Sequence, residues 1–353
     1  MTKVLFCGAG YGAGNIGDDA ILAGLLIASR MYLQKDTQYG IIAFGPNFPK
    51  DGIGIDKVFK SHNEVDKAFD WATHVILGGA SLLAAGSVAY CSMLIKQAQE
   101  RDKPVCMLGV GSSTELVGSL LWLFQQHYSS LDMITLRSEA DKEAAISMGL
   151  RAENLYVCAD GAFAIDYESI TEIPKNILGV NLVHEELPNR HTYVKTVTSL
   201  LKGLEKDLTF SFLCEETRKD MQYDFFLLHE LHQQFGGTLS CEYLDYQNFL
   251  KKMSACRLIL TMRMHMMVFC ALLGIPCVPI IREVKMKMMA DELGLTKTLA
   301  LDETVLNAQS LMVGILKDLN IAKADKTKVE ALRKRAFNNG FMLQKWMSHT
   351  LKT

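Results

Sequence analysis

The chain has 353 residues, enough for about two domains at the usual ~150 residues each, and either half could bury a core of its own. It carries 37 basic and 39 acidic residues, a net charge of −2, with 49% apolar and 22% charged residues. That balance excludes a disordered chain and a nucleic-acid scaffold held by bulk positive charge. The longest apolar stretch, Met266 to Ile281, is interrupted by Gly274 and Pro276 and is too short to cross a bilayer. The N-terminus has a single Lys3 and turns glycine-rich after about four apolar residues, unlike a signal peptide. The expected location is the cytoplasm, with contact at the inner face of the membrane at most peripheral.

In chain order, short apolar runs predict strands at Lys3–Cys7, Gly40–Phe44, His74–Leu77, Val105–Leu108, Met133–Leu136 and Leu155–Cys158. Helical spacing predicts helices at Asp18–Met31, Leu83–Glu100, Leu116–Tyr128 and Ala140–Met148. The pattern weakens into a polar stretch, Asp166–Lys175, with Pro174, which reads as a linker. A second series comes after it, with strands at Asn176–Leu182, Leu208–Leu213, Leu239–Cys241, Leu258–Thr261 and Cys277–Ile281. Its helices are expected near His191–Lys206, Met221–Phe235, Tyr246–Ser254, Met266–Leu273 and Val284–Leu293. The tail from Lys326 to Leu351 reads as a long helix broken at Asn338, Asn339 and Gly340. Alternating strands and helices predict an α/β fold of two Rossmann-like domains, residues 1–170 and 176–325, facing across a cleft, with the C-terminal helix 326–353 crossing back onto the first. This is the glycosyltransferase-B arrangement.

The nine cysteines are scattered through apolar segments, none in C-x-x-C spacing, and read mostly as buried small side chains. His229 and His232 lack any zincin pattern, so neither a metal nor a cofactor is expected.

Four places carry candidate chemistry. The loop after the first strand places Gly12, Gly14 and Gly17 in G-x-G-x-x-G spacing before a helix, the pattern of a dinucleotide site. Against that, the next strand ends in Phe44-Gly45-Pro46 without an acidic residue for a ribose, and Asp18 and Asp19 would repel a pyrophosphate. Either a tight turn or a substrate loop remains, with Gly14, Asn15 and Asp18 as contacts. Next, Gly78-Gly79-Ala80-Ser81 and Gly109-Val110-Gly111-Ser112-Ser113 both come after strands, at the edge where open sheets hold ligands. Turn chemistry alone would also explain them.

The third place is the segment from Leu258 to Pro276, which delivers Arg263 and His265 where a helix begins. A cation and an imidazole beside free helix N–H groups suit an anion, whereas the plainer reading is a paired Arg and a packed His. The fourth is Arg137, which ends a strand and could be a second cation or pair with the acids just after it. Lys285 comes after the last strand of its series in the same way.

Taken in order, GNIGDDAIL from Gly14, LGGASLL from Leu77, GVGSS from Gly109, LRSEADKEAAISMG from Leu136, CADGAF from Cys158, RMH at Arg263, LGIP at Leu273 and Lys285 resemble the polysaccharide pyruvyl transferase family. The resemblance runs roughly from Lys3 to Leu295. It implies a glycosyltransferase-B-like fold and transfer of a pyruvyl group from phosphoenolpyruvate to a sugar of a cell-surface polysaccharide or its lipid-linked precursor, forming a cyclic ketal. It also implies that Arg263 and His265 line the phosphoenolpyruvate site, and that Arg137 stands where the family has the arginine of an Arg–Asp pair. Three motifs differ from the family pattern: Ala80 replaces a third glycine, Ser138 replaces the aspartate, and Arg282-Glu283 replace Tyr-Asp.

The charge of the donor calls for two clamps, Arg263 and Arg137, with His265 as the acid/base. Asp18 or Asp160 could take the acceptor's proton. Two other readings stay open. One is a glycosyltransferase or sugar-nucleotide epimerase of the same architecture, with Arg263 and Lys285 on a diphosphate. The other is a non-catalytic glycan-binding scaffold, which the altered motifs allow.

Overall fold

The computed structural model describes residues 1–45, 53–61, 63–112, 115–170, 174–183, 190–218 and 224–350; Ser113 and the start of the helix expected at Met221 fall outside them. The chain divides into two compact units. The first comprises Met1–Gly14, Asp18–Asp166 and Ala331–Thr353, and the second comprises Asn15–Gly17 and Tyr167–Glu330.

In the first unit, β1 (Lys3–Cys7), β2 (Gln38–Ala43), β3 (Lys57–Lys60), β4 (His74–Gly78), β5 (Val105–Val110), β6 (Ile134–Leu136) and β7 (Leu155–Val157) form one sheet in the order β3-β2-β1-β4-β5-β6-β7. All pairs are parallel, with Val4 facing Tyr39 on one side and His74 on the other. Strands β4 and β5 are buried at every position, which is why they read as unbroken apolar runs rather than as alternation. Helices α1 (Ile16–Tyr32), α2 (Val65–Trp71), α3 (Ala85–Gln99), α4 (Gly118–Tyr128) and α5 (Glu139–Ser147) connect them. Leu5, Val75, Leu94, Met107 and Phe124 lie in their common core.

The second unit repeats the plan. Its strands β8 (Ile177–Asn181), β9 (Thr209–Leu213), β10 (Thr238–Ser240), β11 (Leu258–Thr261), β12 (Cys277–Ile281) and β13 (Leu299–Ala300) pair in parallel in the order β10-β9-β8-β11-β12-β13. Helices α6 (Arg190–Leu204), α7 (Phe225–Phe235), α8 (Tyr246–Ser254), α9 (Met264–Leu273), α10 (Val284–Leu293) and α11 (Val305–Lys317) connect and flank them. Val180, Leu201, Phe212, Leu260 and Met312 are buried together. Each sheet has the strand order of a doubly wound fold, with its topological switch between β1 and β4 in one unit and between β8 and β11 in the other.

Four elements escape the sequence pattern, among them β13, a strand of only two residues. Strand β3 reads Lys-Val-Phe-Lys with charged ends because it is an edge strand, and α2 is only seven residues long. Helix α11 lies in the second unit against α6. Helix α12 (Lys326–Thr350) corrects an expectation, because it runs unbroken through Asn338, Asn339 and Gly340. Asn339 is fully buried, donates to the Ala159 carbonyl at 3.1 Å and accepts from Thr135 Oγ1 at 2.5 Å. Gly340 lies so close to α1 that a Cβ there would sit 2.0 Å from the Ala28 carbonyl oxygen. The apparent helix breakers are therefore where α12 docks on the first unit.

Seven cysteines are free and buried, and Cys214 and Cys241 form a disulfide between the ends of β9 and β10, a pairing that their spacing in the sequence does not announce. Among the described residues no helix is long and apolar enough to cross a membrane.

Candidate functional site

Because the strands of each unit are parallel, all the loops at their carboxyl ends leave one sheet edge. In the first unit this gathers Ser81, Gly111, Ser112, Arg137 and Asp160 from the ends of β4, β5, β6 and β7. Arg137 is buried, its guanidinium lying over Gly111. Its Nη1 is 3.3 Å from Asp160 Oδ2, its Nε 4.0 Å from Asp141 Oδ2, and its Nη2 donates to Ser81 Oγ at 3.4 Å. The Ser112 amide and hydroxyl both donate to Asp141 Oδ1, at 2.7 and 2.9 Å. Ser138 caps α5 by accepting from the Asp141 amide, and its hydroxyl bonds the carboxylate of that residue at 2.7 Å. Serine thus supplies the capping oxygen at the position where the family has aspartate. Arg137 sits between two carboxylates, so the pairing reading describes its resting contacts, with the second partner, Asp160, coming from a later loop. Asp160 also holds its own turn, accepting from the Ala162 amide at 2.9 Å.

In the glycine loop after β1 one backbone donor is committed to the protein's own helix α1. The Gly12 amide donates to Asp19 Oδ1 at 2.8 Å, so the first-turn acid of α1 takes the donor that a phosphate would need. Gly78 accepts from the Tyr11 hydroxyl, and Gly79 has φ +70° with Ile21 packed against it. Asp18 is half-buried, with its carboxylate against Gly10. Gly14 closes this loop, and Asn15, the next residue, groups with the second unit, where its Nδ2 donates to Glu216 Oε2 at 3.3 Å.

In the second unit, Arg263 stands as the N-terminal cap residue of α9 and His265 is in that helix's first turn. Their side chains are 13% and 12% exposed, and the His265 Nε2 atom is itself buried. Arg263 Nε and Nη2 both donate to Asp224 Oδ1, at 3.1 and 2.5 Å. Asp224 Oδ2 accepts from Asn181 Nδ2 at 3.2 Å and from the amides of Glu215 and Glu216 at 3.1 and 3.2 Å. Burial pushes the Asp224 carboxyl up, and Arg263 offsets only part of that. Breaking such a buried pair by removing one partner costs about 3–5 kcal/mol, so Asp224 fixes the arginine firmly.

His265 Nδ1 lies 3.3 Å from Glu215 Oε1, and Glu215 is 2% exposed. Burial alone would push the Glu215 carboxyl up, but the His265 hydrogen bond and charge, with Arg263 and Arg282, hold it below its ordinary value. Gly17 is packed on this pair: a Cβ there would be 2.1 Å from His265 Nδ1 and 2.5 Å from Glu215 Oε1. The last glycine of the G-x-G-x-x-G run is thus required by a histidine and a carboxylate rather than by a pyrophosphate. Lys285 is 29% exposed and 3.2 Å from Glu283 Oε2, and the same carboxylate takes Arg282 at 2.7 Å through its other oxygen.

The sequence did not flag Glu215, Glu216 or Asp224. The first two come just after the predicted strand Leu208–Leu213 and could have been found by the strand-end rule that found Arg263. Asp224 lies inside the expected helix Met221–Phe235, whereas α7 begins only at Phe225, so nothing in the pattern marked it. His229 and His232 pack on rings, against Phe225 at 5.3 Å and Phe212 at 6.2 Å.

A family model described as polysaccharide pyruvyl transferase matches residues 15–283 of this chain. No curated protein matches it in sequence. Among solved structures, Anabaena HepE in complex with UDP is similar at 15% identity, covering 100% of both chains with a TM-score of 0.63. S. aureus MnaA with UDP is similar at 13% identity, covering 96% of this chain and 94% of that one, with a TM-score of 0.62. The UDP-GlcNAc 2-epimerase of Neisseria meningitidis bound to UDP-GlcNAc is 12% identical, covering 98% and 100%, with a TM-score of 0.60. At these identities the likeness is one of fold, two Rossmann-like α/β units of the glycosyltransferase-B type.

Proposed function

Because this chain belongs to the polysaccharide pyruvyl transferase family, we propose that it transfers a pyruvyl group from phosphoenolpyruvate to two hydroxyls of a sugar in a cell-surface polysaccharide or its lipid-linked precursor. The observation that carries this reading is the pairing of Arg263 and His265 at the start of α9, beside the switch point of the second sheet. Arg263 offers its remaining guanidinium edge, and the first amides of α9 offer donors, to the phosphate or carboxylate of the donor. Arg137 is proposed as the second cation, Lys285 as a further contact, and the loops of Gly14, Asn15, Asp18, Gly78, Gly79, Ser81, Gly111 and Ser112 as substrate contacts.

In this reaction the enol electron pair takes a proton at the methylene carbon, which becomes a methyl group, while a sugar hydroxyl oxygen bonds to the adjacent carbon and loses its proton. The carbon–oxygen bond to phosphate then breaks, phosphate leaves with the electron pair, and the second hydroxyl closes the ketal, its proton departing with phosphate. His265 is proposed to supply the first proton, since an imidazole exchanges protons near neutrality. Asp160 or Asp18 is proposed as the base for the acceptor.

Incubation with phosphoenolpyruvate and candidate acceptors, monitoring phosphate release and ketal formation, is the test, with UDP-sugars in parallel. Phosphate release that requires the acceptor supports pyruvyl transfer. Nucleotide release or epimer formation from a UDP-sugar would replace it with the glycosyltransferase or epimerase reading that the fold also accommodates. Saturable acceptor binding with no release of either kind would favour a glycan-binding scaffold. His265→Ala should lower turnover about 10²-fold or more, measured as phosphate release, and wild-type turnover in that variant would remove His265 from the mechanism.

A further inference from the structure

Glu215 is buried, is held below its ordinary pKa against the effect of burial by His265, Arg263 and Arg282, and has one oxygen on His265 Nδ1, while its other oxygen, Oε2, has no hydrogen-bond partner among the described residues. Isolated buried charge is costly, so a carboxylate is tolerated here only because something gains from its field. Three features point it at the imidazole. The chain gives up a side chain at Gly17 to admit the pair. The Glu215 backbone is pinned on both sides, its amide donating to Asp224 and its carbonyl accepting from the Ile16 amide at 3.1 Å. Asp224, which holds Arg263, thus also sets the strand end that carries Glu215.

We propose that Glu215 is the positioning residue for His265: it accepts the Nδ1–H, so that Nε2, a buried nitrogen in this structure, is the one left for proton exchange once a ligand seats against it, and it stabilises the imidazolium when an anionic donor binds. The role resembles that of a carboxylate behind any acid/base histidine, where tautomer and orientation are set by the group on the far nitrogen. A charge argument supports it. The groups around the pair are Arg263 at the start of α9, Arg282 after β12, Asp224 before α7, and Glu216 with its partner Arg218 at 2.6 Å. Arg282 also holds Glu283, with Lys285 on that same carboxylate, so the positive and negative groups balance, four against four. The proton on His265 is then the added positive charge that a multiply anionic ligand meets, and Glu215 stabilises that proton in a buried site.

The ligand in this inference rests on the pyruvyl-transfer reading, but the pairing does not, and the experiment separates them. Protein labelled with 15N in its histidines, with His265→Ala to assign the signal, reports tautomer and titration without any substrate. The expected result is an Nδ1–H tautomer in the neutral ring and a titration midpoint that falls by on the order of one pH unit in Glu215→Gln. In turnover with phosphoenolpyruvate, Glu215→Gln should lower kcat on the order of 10–100-fold and change KM less than about threefold, with Glu215→Asp recovering part of the loss. An Nε2–H tautomer in the wild type, or a midpoint unmoved in Glu215→Gln, would overturn the proposal. If Glu215→Gln does not fold, the wild-type tautomer and the Glu215→Asp titration decide it. Absence of phosphate release with any acceptor would count against pyruvyl transfer and leave the titration result standing.

Discussion

Single residues carry the chemistry here through the groups that stand behind them. Arg263 was conspicuous in the sequence, but Asp224 holds it, and Asp224 came from a segment with no visible signal. Ala80 shows the same at backbone level. It occupies a left-handed conformation, φ +56°, in the loop after β4, where the related family has glycine. For a residue with a Cβ that conformation costs about 1–2 kcal/mol, of which glycine's greater unfolded-state freedom would return part. Ala80→Gly should therefore stabilise the protein by about 0.5–1 kcal/mol in chemical denaturation. A neutral or destabilising result would mean that the methyl group contributes packing worth more than the strain.

At the level of elements, α12 makes the sharpest case. Asn339 and Gly340 look like a helix break because asparagine and glycine are weak helix formers. Their propensity cost is overridden by docking: Asn339 satisfies the Ala159 carbonyl, and Gly340 lets two helices touch backbone to backbone. Gly340→Ala is expected to cost about 1–3 kcal/mol, since its Cβ would overlap the Ala28 carbonyl and α12 would have to shift. Gly314, mid-helix in α11 with nothing within 4 Å, is the contrast: Gly314→Ala should stabilise by about 0.5–1 kcal/mol. Urea denaturation of both variants checks the pair, and equal effects would refute the docking account.

At the level of the whole molecule, a net charge of −2 conceals a strongly organised interior. Glu215 is held below its ordinary value, so its contribution to stability is complete above the unfolded value near 4.5 and is lost as pH falls through the lower folded value. Asp224, pushed up by burial, acts with the opposite sign. The difference in melting temperature between wild type and Glu215→Gln should accordingly shrink as pH is lowered from about 6 toward about 3. A difference that stays constant would show that Glu215 does not titrate in that range.

The sequence alone determined the two series of parallel strands, because strands buried on both faces must be continuous apolar runs and the helices between them must show one apolar stripe. It also marked Arg263, His265 and Arg137, because parallel strands deliver their C-terminal loops to one edge, a rule that depends only on order along the chain. Only the tertiary structure decided which partners those residues meet. Glu215 and Asp224 reach His265 and Arg263 from other strand ends, Asp160 reaches Arg137 from beyond β7, and Gly17 is a glycine because of a histidine far along the chain. Local pattern records the face a residue buries; its partner is chosen by strand order, which a run of apolar residues does not encode.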